Sequence, residues 1–368
     1  MVEKFTLPHG TQKTVSFPWR NIYTSWFSFM SPMSINLWLA FDIGGANIKA
    51  ADGRGWSHSE PFAMWQDWRR LPDAIAHIKS LHPATHYAVT MTGEIADCFS
   101  DRREGVEHIV ESCSIAAGKN AVFFYSVDGT LLRADKATHH PLQVAASNWH
   151  ALARLAGSLA PSGRSWLIDI GSTTTDIVPL AYGQPIPQGM TDWDRLLYGE
   201  LIYTGMERTP IPALVRSLPH RGSARPVACE CFATSQDAWL LLGGLPENAT
   251  SNTTADKKPA TRDAARIRMA RSMLLEPASF TFADAIEAAT AIVESQTLLI
   301  QNAMGSLIQN PLPEDHVVLS GQGEILARRV FDHMGWNPQT VSLKDVLGAE
   351  LSRVAPAHAV AMIAQQRV

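Results

Sequence analysis

Two stretches of this chain place an acid and a glycine turn at the end of an apolar run. The first reads Trp38-Leu-Ala-Phe-Asp42-Ile-Gly44-Gly45-Ala-Asn47-Ile-Lys49, the second Trp166-Leu-Ile-Asp169-Ile-Gly171-Ser172-Thr173-Thr174-Thr175-Asp176. Each predicts a buried strand that delivers a carboxylate, then a turn whose glycine lets the backbone come close to a ligand. Two such tips in one chain predict a duplicated fold with facing loops. Facing acid-glycine loops suit a polyphosphate held with Mg²⁺. Asp42 and Asp169 are the expected metal carboxylates, acting directly or through water. Backbone N–H groups at Gly44, Gly45, Gly171 and Ser172 are expected to cradle phosphate oxygens. Thr173 and Thr174 add hydroxyls, Asn47 belongs to the first loop, and Lys49 adds a point charge. A third glycine turn, Ser320-Gly321-Gln322-Gly323, follows the apolar run Val317–Leu319.

Glu94 and Asp97 follow another strand-like run in Thr92-Gly93-Glu94-x-x-Asp97. Acids at a strand end suit a general base or a second metal ligand. With Asp169 they make the candidate catalytic set. Two polar clusters lie further on: Asp192-Trp-Asp194-Arg195 and Tyr203-Thr-Gly205-x-x-Arg208-Thr209-Pro210. Arg208 has the planar fork needed to clamp a phosphate or carboxylate. Cys229-Glu230-Cys231 reads as buried thiols beside a loop carboxylate, and His139-His140 as a solvent-facing pair.

The elements that must hold these residues alternate. Strands are expected at 35–41, 47–51, 87–91, 122–127, 176–179 and from Val317, besides the run into Asp169. Helical spacing covers 67–81, 104–117, 141–159, a long stretch from Thr281 to about Asn310, and 355–365. Thr281-x-x-Asp284 has the form of a capping box with Asp in place of Glu. Residues 183–262 are the least regular, and 248–258 reads as a mobile loop. This is an α/β pattern. Strand-turn-strand units at both acid loops, with no GxGxxG and no GxxxxGK[ST], argue against a Rossmann or Walker site.

The chain has 368 residues, is 46% hydrophobic and 18% charged, and carries a net charge of −4. That size predicts two domains, and that charge argues against nucleic acid or an anionic membrane as partner. The four cysteines form no CxxC and fit reduced thiols in the cytoplasm. No apolar run reaches the ~20 residues of a membrane helix. Residues 1–33, rich in aromatics and Ser/Thr without a compact apolar segment, read as an extension: a flexible arm, or sequence upstream of a true start at Met33. The expected subdomains are 34–164, joined by a C-terminal helix in 352–368, and 165–351.

Asp-Ile-Gly-Gly, Asp-Ile-Gly-Ser-Thr and Ser320-Gly-Gln-Gly together resemble the two phosphate loops and the nucleoside-side loop of the actin/sugar kinase/Hsp70 superfamily. The resemblance implies an actin-like ATPase fold, two RNase H-like subdomains around a central cleft, nearest the hydantoinase/oxoprolinase branch. A narrower set adds Met91-Thr-Gly-Glu94-x-x-Asp97, Tyr203-Thr-Gly-x-x-Arg-Thr-Pro210 and Cys229-Glu230. It resembles the methanofuran-biosynthesis synthases, which include bacterial proteins of tetrahydromethanopterin-linked C1 transfer, and it spans about 34–366. That family relation implies an aryl-ether-forming transferase. An aminomethylfuran carrying a CH₂-diphosphate meets the phenol of a γ-glutamyl-tyramine or tyrosine-type acceptor, and diphosphate leaves. Partners are then these small molecules, with Mg²⁺ as cofactor and a homo-oligomer compatible with the family. Ala46-Asn47 stands where nucleotide-using relatives carry Thr or Ser, which argues against ATP phosphotransfer; Ile48 stands where the archaeal pattern has Thr. Two other classes stay open at this point. One is an ATP-dependent small-molecule kinase or oxoprolinase-like hydrolase. The other is a non-catalytic actin/Hsp70-like nucleotide switch.

Overall fold

The computed structural model describes residues 37–367; the reading of residues 1–33 lies outside them. The chain builds the same sheet twice. First come β1 (Trp38–Ile43), β2 (Asn47–Ala51), β3 (Ser57–Pro61), α1 (Leu71–Leu81), β4 (His86–Met91), α2 (Arg102–Ala117), β5 (Ala121–Tyr125) and α3 (Asn148–Leu159). The strands lie in the order β3-β2-β1-β4-β5, with a two-residue strand, Leu131–Leu132, beyond β5. Then follow β6 (Arg164–Ile170), β7 (Thr175–Ala181), α4 (Asp192–Tyr198), β8 (Leu201–Ile202), α5 (Ser235–Leu241), α6 (Arg262–Ser272), α7 (Phe282–Leu307), β9 (His316–Gly321), α8 (Glu324–Met334), β10 (Gln339–Ser342) and α9 (Ala355–Gln365). The second order, β8-β7-β6-β9-β10, repeats the first. In both sheets the central strand pairs antiparallel with its hairpin partner and parallel with the strand on its other side.

Burial explains why the central strands are mostly apolar up to their acids. Every residue of β1 is buried, as a strand covered on both faces must be. One apolar cluster joins the two sheets. It takes Trp38 and Ala40 from β1, Leu167 from β6, Val178 from β7 and Val318 from β9, with α3 and the alanine-rich face of α9 among them. Small side chains let α9 lie close to its neighbours.

Several expectations change. β3 was not anticipated, because Ser-His-Ser-Glu-Pro has no apolar alternation; it is an edge strand, where polar residues block further pairing. The helix expected over 141–159 is broken between Val144 and Asn148, with Ala146 at φ 46°. There the Ser147 hydroxyl donates to the Tyr125 carbonyl at 2.9 Å, and Val127 N–H reaches the Gln143 carbonyl at 2.8 Å. Residues 248–258, read as mobile, are tied down: Asn248 bridges to Ala260, and Asp256 accepts from Arg268 and Arg271. The Thr281 capping box is present, with Asp284 answering the Thr281 N–H.

Helix α7 also holds a segment that shapes the second acid loop. Its buried Gln296 donates to the Thr204 hydroxyl and the Gly205 carbonyl, and accepts from the Trp239 indole. The held segment then donates Met206 N–H to the Gly171 carbonyl, and Glu207 and Arg208 N–H to the Ser172 carbonyl. A Cβ on Gly205 would stand 2.7 Å from the Gly171 oxygen. Gly205→Ala is therefore expected to lower stability by about 1–3 kcal/mol, as overpacking does. Urea unfolding should show a lower midpoint at unchanged slope; an unmoved midpoint would mean the segment yields freely.

Candidate active site

The two acids occupy the same place in the two sheets. Asp42 is the penultimate residue of β1, opposite Lys49 on β2 and Thr90 on β4. Asp169 is the penultimate residue of β6, opposite Asp176 on β7 and Ser320 on β9. The turns that follow match as well. Gly44 N–H donates to the Asn47 carbonyl at 3.0 Å, and Gly171 N–H to the Thr174 carbonyl at 2.9 Å. The Gly44 and Gly171 amides, expected to face a ligand, are thus spent in closing the turns. Among the described residues the amides of Gly45, Ala46, Ser172, Thr173 and Thr174 carry no hydrogen bond, which leaves them free to meet an anion. A Cβ at Gly45 would touch nothing within 4 Å, so the backbone there borders open space.

Burial dominates the charges. Asp42 lies 3.8 Å from Lys49, yet its Oδ1 is buried without a hydrogen bond among the described residues. Burial raises its pKa above the ordinary carboxylate value, against the pull of Lys49. Burial also pushes Asp169 up to about 6; Asp176 and Asp42 add to the rise, while Ser320 and Lys49 oppose it. Like charges gathered out of water call for a cation. Two carboxylates are a donor set of the kind Mg²⁺ takes, since it rarely uses an all-protein cage. Among the described residues no group of three or more His, Cys, Asp or Glu comes together.

The third acid sits beside this pair of loops. Gly93 packs so close to Gly44 that a Cβ would lie 2.9 Å from the Gly44 carbonyl oxygen, and Glu94 follows it into full burial. The break in the helix expected over 141–159 brings the Ala146 backbone toward the same carboxylate. Neither Glu94 oxygen makes a standard hydrogen bond among the described residues. Burial pushes this carboxyl up to about 7, with Arg102 opposing and Asp192 assisting. Asp97, the alternative acid, is solvent-exposed and is not brought to Glu94.

Other expected residues take different parts. Arg208 grips the Ser172 carbonyl with its amide; its guanidinium is exposed and unpaired among the described residues. Lys49 is half-buried beside Asp42. The third glycine turn packs over the end of β6. A Cβ on Gly321, at φ 81°, would lie 2.2 Å from the Ile170 carbonyl oxygen, and one on Gly323 would lie 2.3 Å from an Ile170 methyl. These glycines serve close packing beside Asp169. Cys229 and Cys231 are exposed, not buried, because their loop turns outward before α5. His139 and His140 face solvent. Arg102 and Gln296 were missed: each is a single polar residue in an element whose pattern shows only its packing.

Two copies of an RNase H-like sheet, each ending its central strand in an acid and a glycine turn, define an actin-like ATPase fold. The chain belongs to the hydantoinase/oxoprolinase family, whose model matches residues 85–367. It is 29% identical over 333 residues, 90% of this chain and 98% of the relative, to the (4-{4-[2-(gamma-L-glutamylamino)ethyl]phenoxymethyl}furan-2-yl)methanamine synthase of Methanocaldococcus jannaschii. The synthase of the same name from Methanococcus vannielii is 27% identical over 201 residues, covering 54% of this chain and 89% of that relative. Among solved structures, a ROK family glucokinase from Streptomyces griseus is 13% identical, with a TM-score of 0.46 over 90% of this chain and 99% of that one. No helix among the described residues is long and apolar enough to cross a membrane.

A buried acid with a raised pKa opposes folding once it ionises. The folded chain holds the Glu94 proton more tightly than the unfolded chain does. Stability therefore falls as pH rises from the unfolded value of 4.5 to about 7. Glu94→Gln removes that cost, on the order of 2–3 kcal/mol at pH 8. Thermal unfolding should show the variant more stable than the parent at pH 8 and close to it at pH 4.5. Equal melting at both pH values would mean that Glu94 is not held in a water-excluded site.

Proposed function

We propose that this chain joins an aminomethylfuran-methyl diphosphate to the phenol of a γ-glutamyl-tyramine or tyrosine-type acceptor, forming an aryl ether and releasing diphosphate. The observation that carries this reading is similarity along nearly the whole of a relative whose name describes a phenoxymethyl-furan methanamine. Support comes from Glu94, whose carboxylate oxygens have no hydrogen-bond partner among the described residues, and from two acid-glycine loops with free amides.

The step needs a base and a place for the leaving group. A phenol of pKa about 10 is mostly protonated near neutrality. Glu94, at about 7, is a stronger base than an ordinary carboxylate and ionises near the working pH. It takes the phenol proton as the phenolate oxygen attacks the furan CH₂. The carbon–oxygen bond to diphosphate breaks, and the bonding pair leaves with the diphosphate. The furan ring stabilises positive charge at that carbon, so the protein acts mainly on the departing anion. The free amides of Gly45, Ala46, Ser172, Thr173 and Thr174, with Lys49 and Arg208, would receive it. Asp42 and Asp169 would hold Mg²⁺, which supplies charge neutralisation for the diphosphate when bound. Burial of Glu94 keeps water from competing for the reactive carbon.

The test mixes the purified chain and Mg²⁺ with the furan diphosphate and a tyramine- or tyrosine-containing acceptor, without ATP. Diphosphate release and the mass of the coupled product are followed together. Ether should form without ATP, and Asp42→Asn or Asp169→Asn should reduce kcat/KM by at least about 100-fold. Activity of the parent should rise with pH through about 7 as Glu94 loses its proton. Glu94→Gln should lose about 100-fold or more in kcat, and with it that rising limb. Consumption of ATP with no ether formed would overturn the reading in favour of the ATP-dependent alternative.

A further inference from the structure

Glu94 faces two charged side chains, and they come from different halves of the molecule. Arg102 rises from the first turn of α2, in the half that carries Glu94. Asp192 opens α4, in the half that carries Asp169. The Arg102 Nε lies 3.8 Å from Glu94 Oε1, too long for a hydrogen bond, whereas its Nη2 donates to Asp192 Oδ2 at 3.0 Å. The guanidinium is thus committed to the acid across the interface and only leans toward the nearer one. The segment before α3 brings the backbone of Ala146 toward Glu94. Asp192 is itself fixed by its place on α4. Thr191 caps that helix through the Asp194 N–H, and Arg195 pairs with Asp176 at 2.7 Å while stacking 4.0 Å above the Trp149 ring.

We propose that Asp192 is a positioning residue for Glu94: by holding Arg102 across the two halves, it denies Glu94 a full ion pair and keeps it available as a base. The inference rests on the reading of Glu94 as the base and adds what maintains it. An Arg released to Glu94 would make a charge-assisted, bidentate pair. Such a pair would fix the carboxylate in its ionised form, weaken it as a proton acceptor and occupy the oxygens the phenol must reach. The bridge also ties base strength to the register between the halves. Any movement that parts α4 from α2 frees Arg102 for Glu94, so an opened site would disarm itself.

The test reads Glu94 directly, so that it stands apart from the ether assay. Infrared difference spectra of the full chain, parent minus Glu94→Gln, follow the buried carboxyl through a pH titration without any substrate. Asp192→Asn should lower the Glu94 midpoint by at least about one pH unit, the size expected when an opposite charge closes on a carboxylate. The rising limb of kcat should move down with it, and its plateau should fall. Asp192→Glu, which keeps the acceptor, should restore the midpoint near that of the parent. The decisive comparison is in an Arg102→Gln background, where Asp192→Asn should shift the midpoint by much less. An equal shift with and without Arg102 would show that Asp192 acts by its own charge alone, and would overturn the proposal. So would a midpoint unmoved in Asp192→Asn. If the chain made no ether at all, the spectra would still decide whether Asp192 controls the Arg102–Glu94 approach.

Discussion

Everything in this site depends on three carboxylates, Asp42 and Glu94 buried and Asp169 half-buried, without enough positive charge to match them. Asp42, Asp169 and Glu94 are each pushed above the ordinary carboxylate range, and burial is the first cause in every case. An isolated carboxylate in such surroundings would simply stay protonated. Under the proposed function, Mg²⁺ between Asp42 and Asp169 would offset their charge, and Glu94, pushed up to about 7, would take the proton of the phenol.

The surrounding fold is arranged to keep those acids where they are. Both Asp42 and Asp169 are penultimate residues of strands flanked on both sides by hydrogen-bonded neighbours, so neither can swing outward without breaking a sheet. Glycines then allow backbone to close over the strand ends at distances no side chain would permit, as at Gly93, Gly205 and Gly321. Behind the second loop runs a chain of buried polar contacts from Trp239 through Gln296 to Gly205 and on to the Gly171 carbonyl. Buried amides of this kind rigidify only when fully satisfied, and Gln296 has partners on both its oxygen and its nitrogen.

The parts of this arrangement that were legible in the sequence are those set by periodicity and by glycine. The two Asp-Ile-Gly loops, the strands at 87–91, 122–127 and from Val317, the long helix with its Thr281 cap and the alanine-rich last helix all announce themselves through local pattern. Glu94 could be named as a candidate because it ends a strand, but its burial could not be read. That burial depends on α2 packing through Gly105 onto the Glu94 backbone and on a helix break at Ala146, both of which are tertiary. Of the four amides expected to face a ligand, those of Gly45 and Ser172 are free, while the leading glycine of each loop closes its own turn. Asp97 and Glu94 look alike on paper, and only the direction of the turn separates an exposed acid from a buried one. Cys229 and Cys231 were misplaced for the converse reason: free cysteines are commonly buried, but these two lie exposed in their loop.

Duplication explains the shape of the site, and the breaking of that duplication explains its polarity. The two sheets present equivalent positions, yet the residue facing the acid across the hairpin is Lys49 in one and Asp176 in the other. One acid therefore has a cation at 3.8 Å, and the other has a second carboxylate as neighbour, which raises it further. Asp176 in turn is neutralised by Arg195, whose helix carries Asp192. The excess negative charge on the second side is thus passed outward along Asp176, Arg195 and α4 toward Arg102 and the one acid left without a partner. Under the proposed reaction, that asymmetry would give the two ends of a diphosphate ester different surroundings, which suits a step that breaks one of its bonds and keeps the others.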